Sequence, residues 1–293
     1  MAGFRLKMAT QQGEHTAKEK GEIQFPVNVL KIAETEGISV AQTPQSIKGA
    51  SSMFILARNK AQIFYSPQYD NVGFERFSIA HELGHYFLSG HPEEIEKAGG
   101  RHESRCNFTE MSSIELEADH FASGLLMPSH LVQQFLRKRS CDLESVIELS
   151  GQSACSLTAA AIRMSECSKI PVAVIVSNGD KVVYCFMSES FKGLGKLTYL
   201  RKSSPLPQGE TLEFNRDQDN VLCLQRSEGE TSLEDWFDGS HRIKLREEVM
   251  GLGKTGNTLT VLSGEELPDD FEEDDEDNES LEEKWTPRFS YGR

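Results

Sequence analysis

The stretch Phe77-Ser-Ile-Ala-His-Glu-Leu-Gly-His85 contains two histidines and a glutamate at the spacing H-E-x-x-H. In a helix, His81 and His85 lie four residues apart on one face, so both imidazoles can reach one ion at about 2.0 to 2.1 Å. Glu82 lies about 100° round the helix, where it can reach a water on the metal without being a ligand itself. The pattern H-E-x-x-H therefore predicts a zinc-binding helix with Glu82 as general base.

The alternative is a core helix whose two histidines only form hydrogen bonds. The segment from Phe74 to Leu88 is rich in apolar residues, so this helix is expected to be buried on most sides, with Asn71 as its capping residue. Two imidazoles and a carboxylate are costly to bury unless something satisfies them, and a metal ion does so directly. The context therefore favours metal binding.

A catalytic zinc site also needs a third protein ligand and an open position for water. On a helix predicted from Ser113 to Leu126, Glu115 shares a face with Ala118 and Asp119, and small alanines there allow close packing against Gly84. We therefore expect Glu115 to be the third ligand. Asp119 would accept a hydrogen bond from a ligating histidine.

Four other downstream side chains remain as alternatives. Glu117 points to a different side of the predicted helix from Glu115 and is kept as the alternative ligand. His91 and His102 fall in a segment predicted to be a polar loop from His91 to Glu110, so no helical or strand register supports them. His120 is left unassigned, because a polar helix face explains it equally well.

Charge is spread unevenly along the 293 residues. The formal net charge is −15, and thirteen acidic side chains fall between Glu265 and Glu283. Residues 264–293 are therefore expected to form an acidic, disordered tail, which either solubilises the protein or attracts a basic partner. The acidic balance argues against direct nucleic-acid binding.

No apolar run approaches the roughly 20 residues needed to cross a bilayer, and the first 21 residues lack the apolar region of a secretory signal. The six cysteines show no C-x-x-C spacing and are expected to be free thiols. These features predict a cytoplasmic protein without membrane contact.

The remaining pattern predicts an α+β fold with two globular parts. Residues 1–24 are polar and predict a flexible arm, and residues 25–168 are mainly helical with a hairpin. Residues 169–263 read as a smaller β-rich α+β domain, in which two strand-like runs flank Asn178-Gly179. The individual segments expected are a helix within Pro26–Gly37, a hairpin of Met53–Ala57 with Gln62–Tyr65, a helix over Leu143–Met164 interrupted at Gly151, strands at Leu197–Leu200, Val221–Leu224 and Asn257–Leu262, and a helix at Leu233–Phe237.

Three motifs together resemble the ImmA/IrrE family of bacterial metallopeptidases, over roughly residues 25–168. They are Phe77–His85, the run Glu115-Leu-Glu-Ala-Asp-His-Phe-Ala122, and Leu125-Leu-Met-Pro128. The resemblance implies a mainly helical, zincin-like domain with one Zn²⁺ held by two histidines and a glutamate from the second helix. It supports Glu115 with Asp119 as that pair.

The resemblance also implies a function. Members of this family are associated with cleaving transcriptional repressors in stress or mobile-element responses, and many carry a helix-turn-helix domain that this chain would lack. We therefore expect a zinc metalloendopeptidase acting on a separate helix-turn-helix repressor or antitoxin-like regulator.

Two other functions remain open. In one, the chain is a regulatory protein with vestigial proteolysis, in which residues 169–263 sense a ligand or recognise a substrate. In the other, zinc is only a structural staple with four protein ligands.

Overall fold

The computed structural model describes residues 2–43, 51–57, 60–67, 71–104, 113–195, 197–238 and 243–264. Within them the chain forms two compact units. The first contains the residues up to Leu131 together with Gly151–Ser156, and the second contains Val132–Ser150 and the residues from Leu157 onward. The α+β class is confirmed. The boundary at residue 168 marks a change of sequence pattern, and it stays a prediction.

The first unit contains a four-stranded sheet in the order β1-β3-β2-β4. Its strands are β1 (Ser39–Gln42), β2 (Ser52–Ala57), β3 (Lys60–Tyr65) and β4 (Arg101–Ser104). The predicted hairpin is confirmed, because β2 and β3 pair antiparallel with Phe54 opposite Ile63. Strand β4 pairs antiparallel with β2, which places Ser104 opposite Ser52.

Helices of the first unit carry the candidate site residues. They are α1 (Ala2–Glu19), α2 (Val29–Thr35), α3 (Val72–Phe87), α4 (His91–Lys97) and α5 (Ser113–Leu126), followed in the chain by α6 (Ser129–Leu136). Asn71 caps α3 as predicted, since its side chain accepts a hydrogen bond from the backbone N–H of Phe74. Helix α5 spans the predicted residues and ends before Pro128, which cannot continue a helix.

The predicted flexible arm at residues 1–24 is wrong, because most of this segment is helix α1. One stripe of α1 is buried and consists of small side chains at helical spacing: Ala9, Gly13, Thr16 and Ala17. A Cβ atom added at Gly13 would lie 2.2 Å from the carbonyl oxygen of Phe121, and one added at Gly124 would lie 2.1 Å from that of Thr10. Helices α1 and α5 therefore touch backbone to backbone.

The polar loop predicted from His91 to Glu110 is also wrong over the described residues, which form α4 and β4. The turn between them depends on Gly100, whose φ is 76°. A Cβ atom there would lie 2.4 Å from the carbonyl oxygen of Leu56, so glycine is required on two grounds. The rest of the predicted loop, residues 105–110, lies outside the described residues.

The second unit contains a five-stranded antiparallel sheet in the order β6-β5-β9-β8-β7. Its strands are β5 (Val172–Asn178), β6 (Lys181–Met187), β7 (Arg226–Ser232), β8 (Lys244–Gly251) and β9 (Thr258–Ser263). The helices of this part of the chain are α7 (Leu143–Ser153), α8 (Leu157–Cys167), α9 (Glu189–Lys192), α10 (Glu210–Asn215), α11 (Gln218–Leu222) and α12 (Leu233–Phe237).

Several predictions for the second half are confirmed and others are wrong. The predicted β5–β6 hairpin is confirmed, with Asn178 paired to Lys181 and Gly179 in the turn, and α12 has the predicted bounds. The strand predicted at Val221–Leu224 is wrong, because Val221 and Leu222 end α11, which Asp217 caps by accepting a hydrogen bond from the N–H of Asp219. Residues 197–200 form no strand. The helical break expected at Gly151 falls after Ser153.

Two predictions concern features outside the sheets. Among the described residues, none of the helices is both long and apolar enough to cross a membrane. The acidic tail predicted over residues 264–293 lies, from residue 265 onward, outside the described ranges.

The contact between α1 and α5 predicts opposite effects for two glycine-to-alanine changes. Gly124→Ala should destabilise the protein by about 1 to 3 kcal/mol, because the new methyl group overlaps the backbone of Thr10. Gly151→Ala is the matched control: it lies in a helix where a Cβ meets nothing within 4 Å, and should stabilise by about 0.5 to 1 kcal/mol. Urea unfolding of both variants measures this, and equal effects would contradict the backbone contact.

Candidate metal centre

The candidate site lies where α3 and α5 cross at very short range. A Cβ atom added at Gly84 would lie 3.1 Å from the Cα of Ala118 and 3.2 Å from its carbonyl oxygen. A methyl group at Gly84 would therefore be in tight contact with α5, so the two helices pack closely, as the sequence led us to expect. This packing brings the histidine face of α3 against the acidic face of α5.

Three buried donor groups meet at this crossing. Nε2 of His81 and Nε2 of His85 are 3.2 Å apart. Glu115 places one carboxylate oxygen 3.4 Å from His85 Nε2 and the other 3.5 Å from His81 Nε2. These three residues, the donor group, are each at most 5% exposed. Each offers a ligand atom, and these atoms all lie within 4.8 Å of one another.

The spacing within the donor group fits a tetrahedral zinc ion. Ligand atoms at about 2.0 to 2.1 Å from such an ion lie roughly 3.3 Å from one another, close to the 3.2 Å between the two Nε2 atoms and to the distance of each Glu115 oxygen from its nearer histidine. Oε2 of Glu115 is buried without a hydrogen-bonding partner among the described residues, which is costly unless an ion occupies the site. Two imidazoles and a carboxylate are also a donor set that zinc accepts.

Each histidine of the donor group has a partner on its other ring nitrogen. Nδ1 of His81 lies 2.8 Å from Oδ1 of Asp119, the partner expected from the sequence. Nδ1 of His85 lies 3.1 Å from Nδ1 of His91, a contact that the sequence did not reveal. Both contacts occupy Nδ1 and leave Nε2 facing the common centre. The rings are therefore held in the orientation that metal binding needs.

Glu82 lies fully buried beside the donor group. Ser104 on β4 donates a hydrogen bond from Oγ to Oε1 of Glu82 at 2.7 Å. The second oxygen, Oε2, has no hydrogen-bonding partner among the described residues. Burial raises the pKa of Glu82 above its usual value, against the opposing influence of His81. A buried carboxylate with one free oxygen and a raised pKa has the properties of a general base.

The histidines and Glu115 shift one another's protonation strongly. Burial lowers the pKa of His85 to about 3. Burial also disfavours the charged form of His81, but its contacts with Asp119 and Glu115 outweigh burial and raise the pKa of His81 well above its usual value. The pKa of Glu115 is held far below its usual range, because its contacts with the imidazoles of His102, His81 and His85 outweigh its burial. The histidines around Glu115 thus favour the negatively charged form of its carboxylate.

His102 lies on β4 and contacts the site through Glu115. Its Nε2 lies 2.6 Å from Oε1 of Glu115, and its ring centroid lies 4.4 Å from that of His85. Although burial opposes the charged form, the contact with Glu115 raises the pKa of His102. The sequence placed His102 in a loop, so its contact with Glu115 was not foreseen.

Two residues that the sequence left open lie apart from the donor group. Glu117, the alternative ligand, places Oε2 3.5 Å from Nε2 of His91 and contacts Nη2 of Arg5 at 3.1 and 3.2 Å. His120 pairs Nδ1 with the hydroxyl of Thr10 on α1 at 3.2 Å. Both residues therefore point from α5 toward neighbouring elements.

An H-E-x-x-H helix opposite a helix that presents a glutamate has the geometry of a zincin-like metallopeptidase domain. Comparison with protein families narrows the class: residues 33–165 match the Peptidase_M78 model, described as IrrE N-terminal-like domain. The resemblance to the ImmA/IrrE family is thereby confirmed for this part of the chain.

Comparison with solved structures supports the fold over a longer stretch. A Mycobacterium tuberculosis transcriptional regulator superposes with a TM-score of 0.57 over 87% of this chain and 76% of that one. Identity is 14%, so this likeness concerns the fold alone. No curated protein gives a significant match.

The geometry predicts which glutamate binds zinc. Glu115→Gln should weaken zinc binding by more than the roughly 10- to 100-fold that loss of an outer-sphere partner costs, because it removes a charged ligand. Glu117→Gln, the matched change two residues away, should stay within that range. Dissociation constants from competition with a chromogenic chelator measure both. Stronger loss in Glu117→Gln would mean that Glu117 is the ligand.

Proposed function

We propose that the protein is a zinc-dependent endopeptidase that hydrolyses a peptide bond in a partner protein. The observation that carries this is the position of Glu82, whose free Oε2 lies buried beside the converging donors of His81, His85 and Glu115. A purely structural zinc site does not need a general base. The match to a metallopeptidase family supports the same reading.

The reaction assigns separate tasks to the residues of the site. When bound, zinc supplies Lewis acidity, which lowers the pKa of water and polarises a carbonyl oxygen. Glu82 accepts a proton from the attacking water on Oε2, while the hydrogen bond from Ser104 holds Oε1 in place. The protonated Glu82 then delivers this proton to the leaving amine. Asp119 and His91 keep the histidine rings oriented throughout.

The sheet edge formed by β4 lies beside the site and suggests how a peptide would be held. Strand β4 is the last strand of its sheet among the described residues, and it carries both Ser104 and His102. An extended peptide can add to such an edge through main-chain hydrogen bonds. This arrangement favours an unfolded or extended segment of a protein as substrate.

The substrate we propose is a separate DNA-binding regulator, such as a helix-turn-helix repressor or an antitoxin-like protein. It is supported by the ImmA/IrrE resemblance, and one structural neighbour is itself named a transcriptional regulator. A role in a stress or mobile-element response follows from the same resemblance. The cytoplasmic location stays a prediction.

Glu82→Gln tests the mechanism, because it keeps the shape of the side chain and removes the base. Cleavage of a candidate regulator by the zinc-loaded protein should fall by about 10²- to 10⁴-fold, as expected for loss of general acid–base catalysis. Zinc affinity should change little, since Glu82 is not a ligand. Cleavage products are followed by mass spectrometry.

The control is Glu75→Gln, which changes a glutamate on the same helix outside the donor group and should leave cleavage unchanged. Undiminished cleavage by zinc-loaded Glu82→Gln would contradict the mechanism. If the wild-type protein binds the regulator without cleaving it, the alternative of a sensor protein with vestigial proteolysis is favoured instead.

A further inference from the structure

A chain of polar contacts leads from the metal-facing His85 to the N-terminal helix. Beyond His85, His91 presents Nε2 to Oε2 of Glu117 at 3.5 Å, and Glu117 meets Nη2 of Arg5 at 3.1 and 3.2 Å. We propose that α1 is part of the metal centre. In this role Arg5 orders Glu117, Glu117 orders His91, and His91 orients His85 toward the ion. The inference rests on the zinc binding in the proposed function, but not on proteolysis.

The hydrogens of this chain can be assigned in one direction. His85 must offer the lone pair of Nε2 to an ion, so its proton is on Nδ1 and is donated to His91. His91 therefore accepts at Nδ1 and carries its own proton on Nε2, on the side of Glu117. That Nε2–H faces the side chain of Glu117 at 3.5 Å, an ion-pair contact that is too long and poorly aligned to count as a formed hydrogen bond. Arg5, which can only donate, completes the chain.

Burial explains why these contacts matter for orientation. His91 is 1% exposed and Glu117 is 6% exposed, so neither can readily exchange its partner for water. A similar arrangement exists at His81, whose Nδ1 contacts the carboxylate of Asp119, which also lies on α5. Each histidine of the donor group thus has an outer partner that depends on α5. For His85 the link to α5 is indirect, because it runs through His91 to Glu117, and from Glu117 it continues to Arg5 on α1.

The rival explanation is that Arg5 and Glu117 form an ordinary ion pair that only fastens α1. The two explanations differ in the sign of one effect. Removing a cation near a cation-binding site should leave zinc affinity unchanged or raise it, because repulsion falls. In our proposal the same change lowers zinc affinity, because His91 loses its orientation.

Arg5→Met is therefore the first test, measured as the zinc dissociation constant of the full chain by chelator competition. The side chain of Arg5 is 58% exposed, so solvent screens its contact with Glu117 and the expected loss is about two- to fivefold. Lys7→Met, an exposed cation on the same helix, is the matched control and should bind zinc as tightly as the wild type or more tightly. In a His91→Leu background, Arg5→Met should cause no further loss.

A pair of changes at His91 supplies the second test. His91→Leu should weaken zinc binding by roughly 10- to 100-fold, because His85 loses its acceptor. His91→Asn should lose only about two- to fivefold, like Arg5→Met, since its amide oxygen can take the place of Nδ1 as acceptor but no atom replaces Nε2 toward Glu117. Thermal unfolding of the metal-free variants identifies any that fail to fold, and the Arg5 comparison does not depend on them.

The outcomes separate the two proposals. Equal loss in His91→Asn and His91→Leu, or an Arg5→Met affinity no weaker than that of Lys7→Met, would overturn the role of α1. Neither measurement requires a substrate. If the affinities follow the expected order and no peptide is cleaved, only the proposed peptidase function fails, whereas absence of zinc binding in the wild type overturns both.

Discussion

The site depends on the backbone contact between Gly84 on α3 and Ala118 on α5. A Cβ atom at Gly84 would lie only 3.1 Å from the Cα of Ala118, so the two helices pack closely. Their functional side chains then need to span only a short gap. Both histidines of α3 face Glu115. Asp119, one turn further along α5, contacts Nδ1 of His81. A bulkier residue at Gly84 would separate the donors.

A second close contact, between α5 and α1, supports the contact between α3 and α5. Helix α5 lies between α3 and α1, and a Cβ atom at Gly124 would lie 2.1 Å from the backbone of Thr10, closer than the 3.1 Å between a Cβ at Gly84 and Ala118. This fixes the position of α5, and with it every acidic side chain that faces the histidines. The N-terminal helix lies before the segment that matches the peptidase family, yet it contacts Glu117 and His120 directly. It is therefore a structural part of this unit.

The sequence predicted the elements whose signals are local. Asn71 marks the start of α3 and Pro128 the end of α5, and two runs rich in β-branched residues mark the hairpin around Asn178-Gly179. Helix α1 was missed because its buried stripe is made of small residues, such as Ala9 and Gly13, which give little hydrophobic periodicity. Their spacing of four residues was the available signal.

Residues whose roles depend on tertiary contacts could not be predicted. Strand β4 is four polar residues long, and its pairing with β2 gives it a strand conformation that its own sequence does not favour. Without β4, His102 and Ser104 have no defined position. His91 begins a helix after Gly90, whose φ of 90° turns the chain back toward His85. The strand predicted at Val221–Leu224 failed for the opposite reason, because a local cap at Asp217 outweighed its apolar pattern.

The central claim is that His81, His85 and Glu115 hold one zinc ion while Glu82 stays free to act as a base. A crystal structure of the zinc-loaded protein, with anomalous differences measured at the zinc absorption edge, tests it directly. Our account predicts a single peak about 2.0 to 2.2 Å from Nε2 of both histidines and from an oxygen of Glu115, with no fourth protein ligand. A peak coordinated by Glu82 or Glu117, or by four protein side chains, would contradict it.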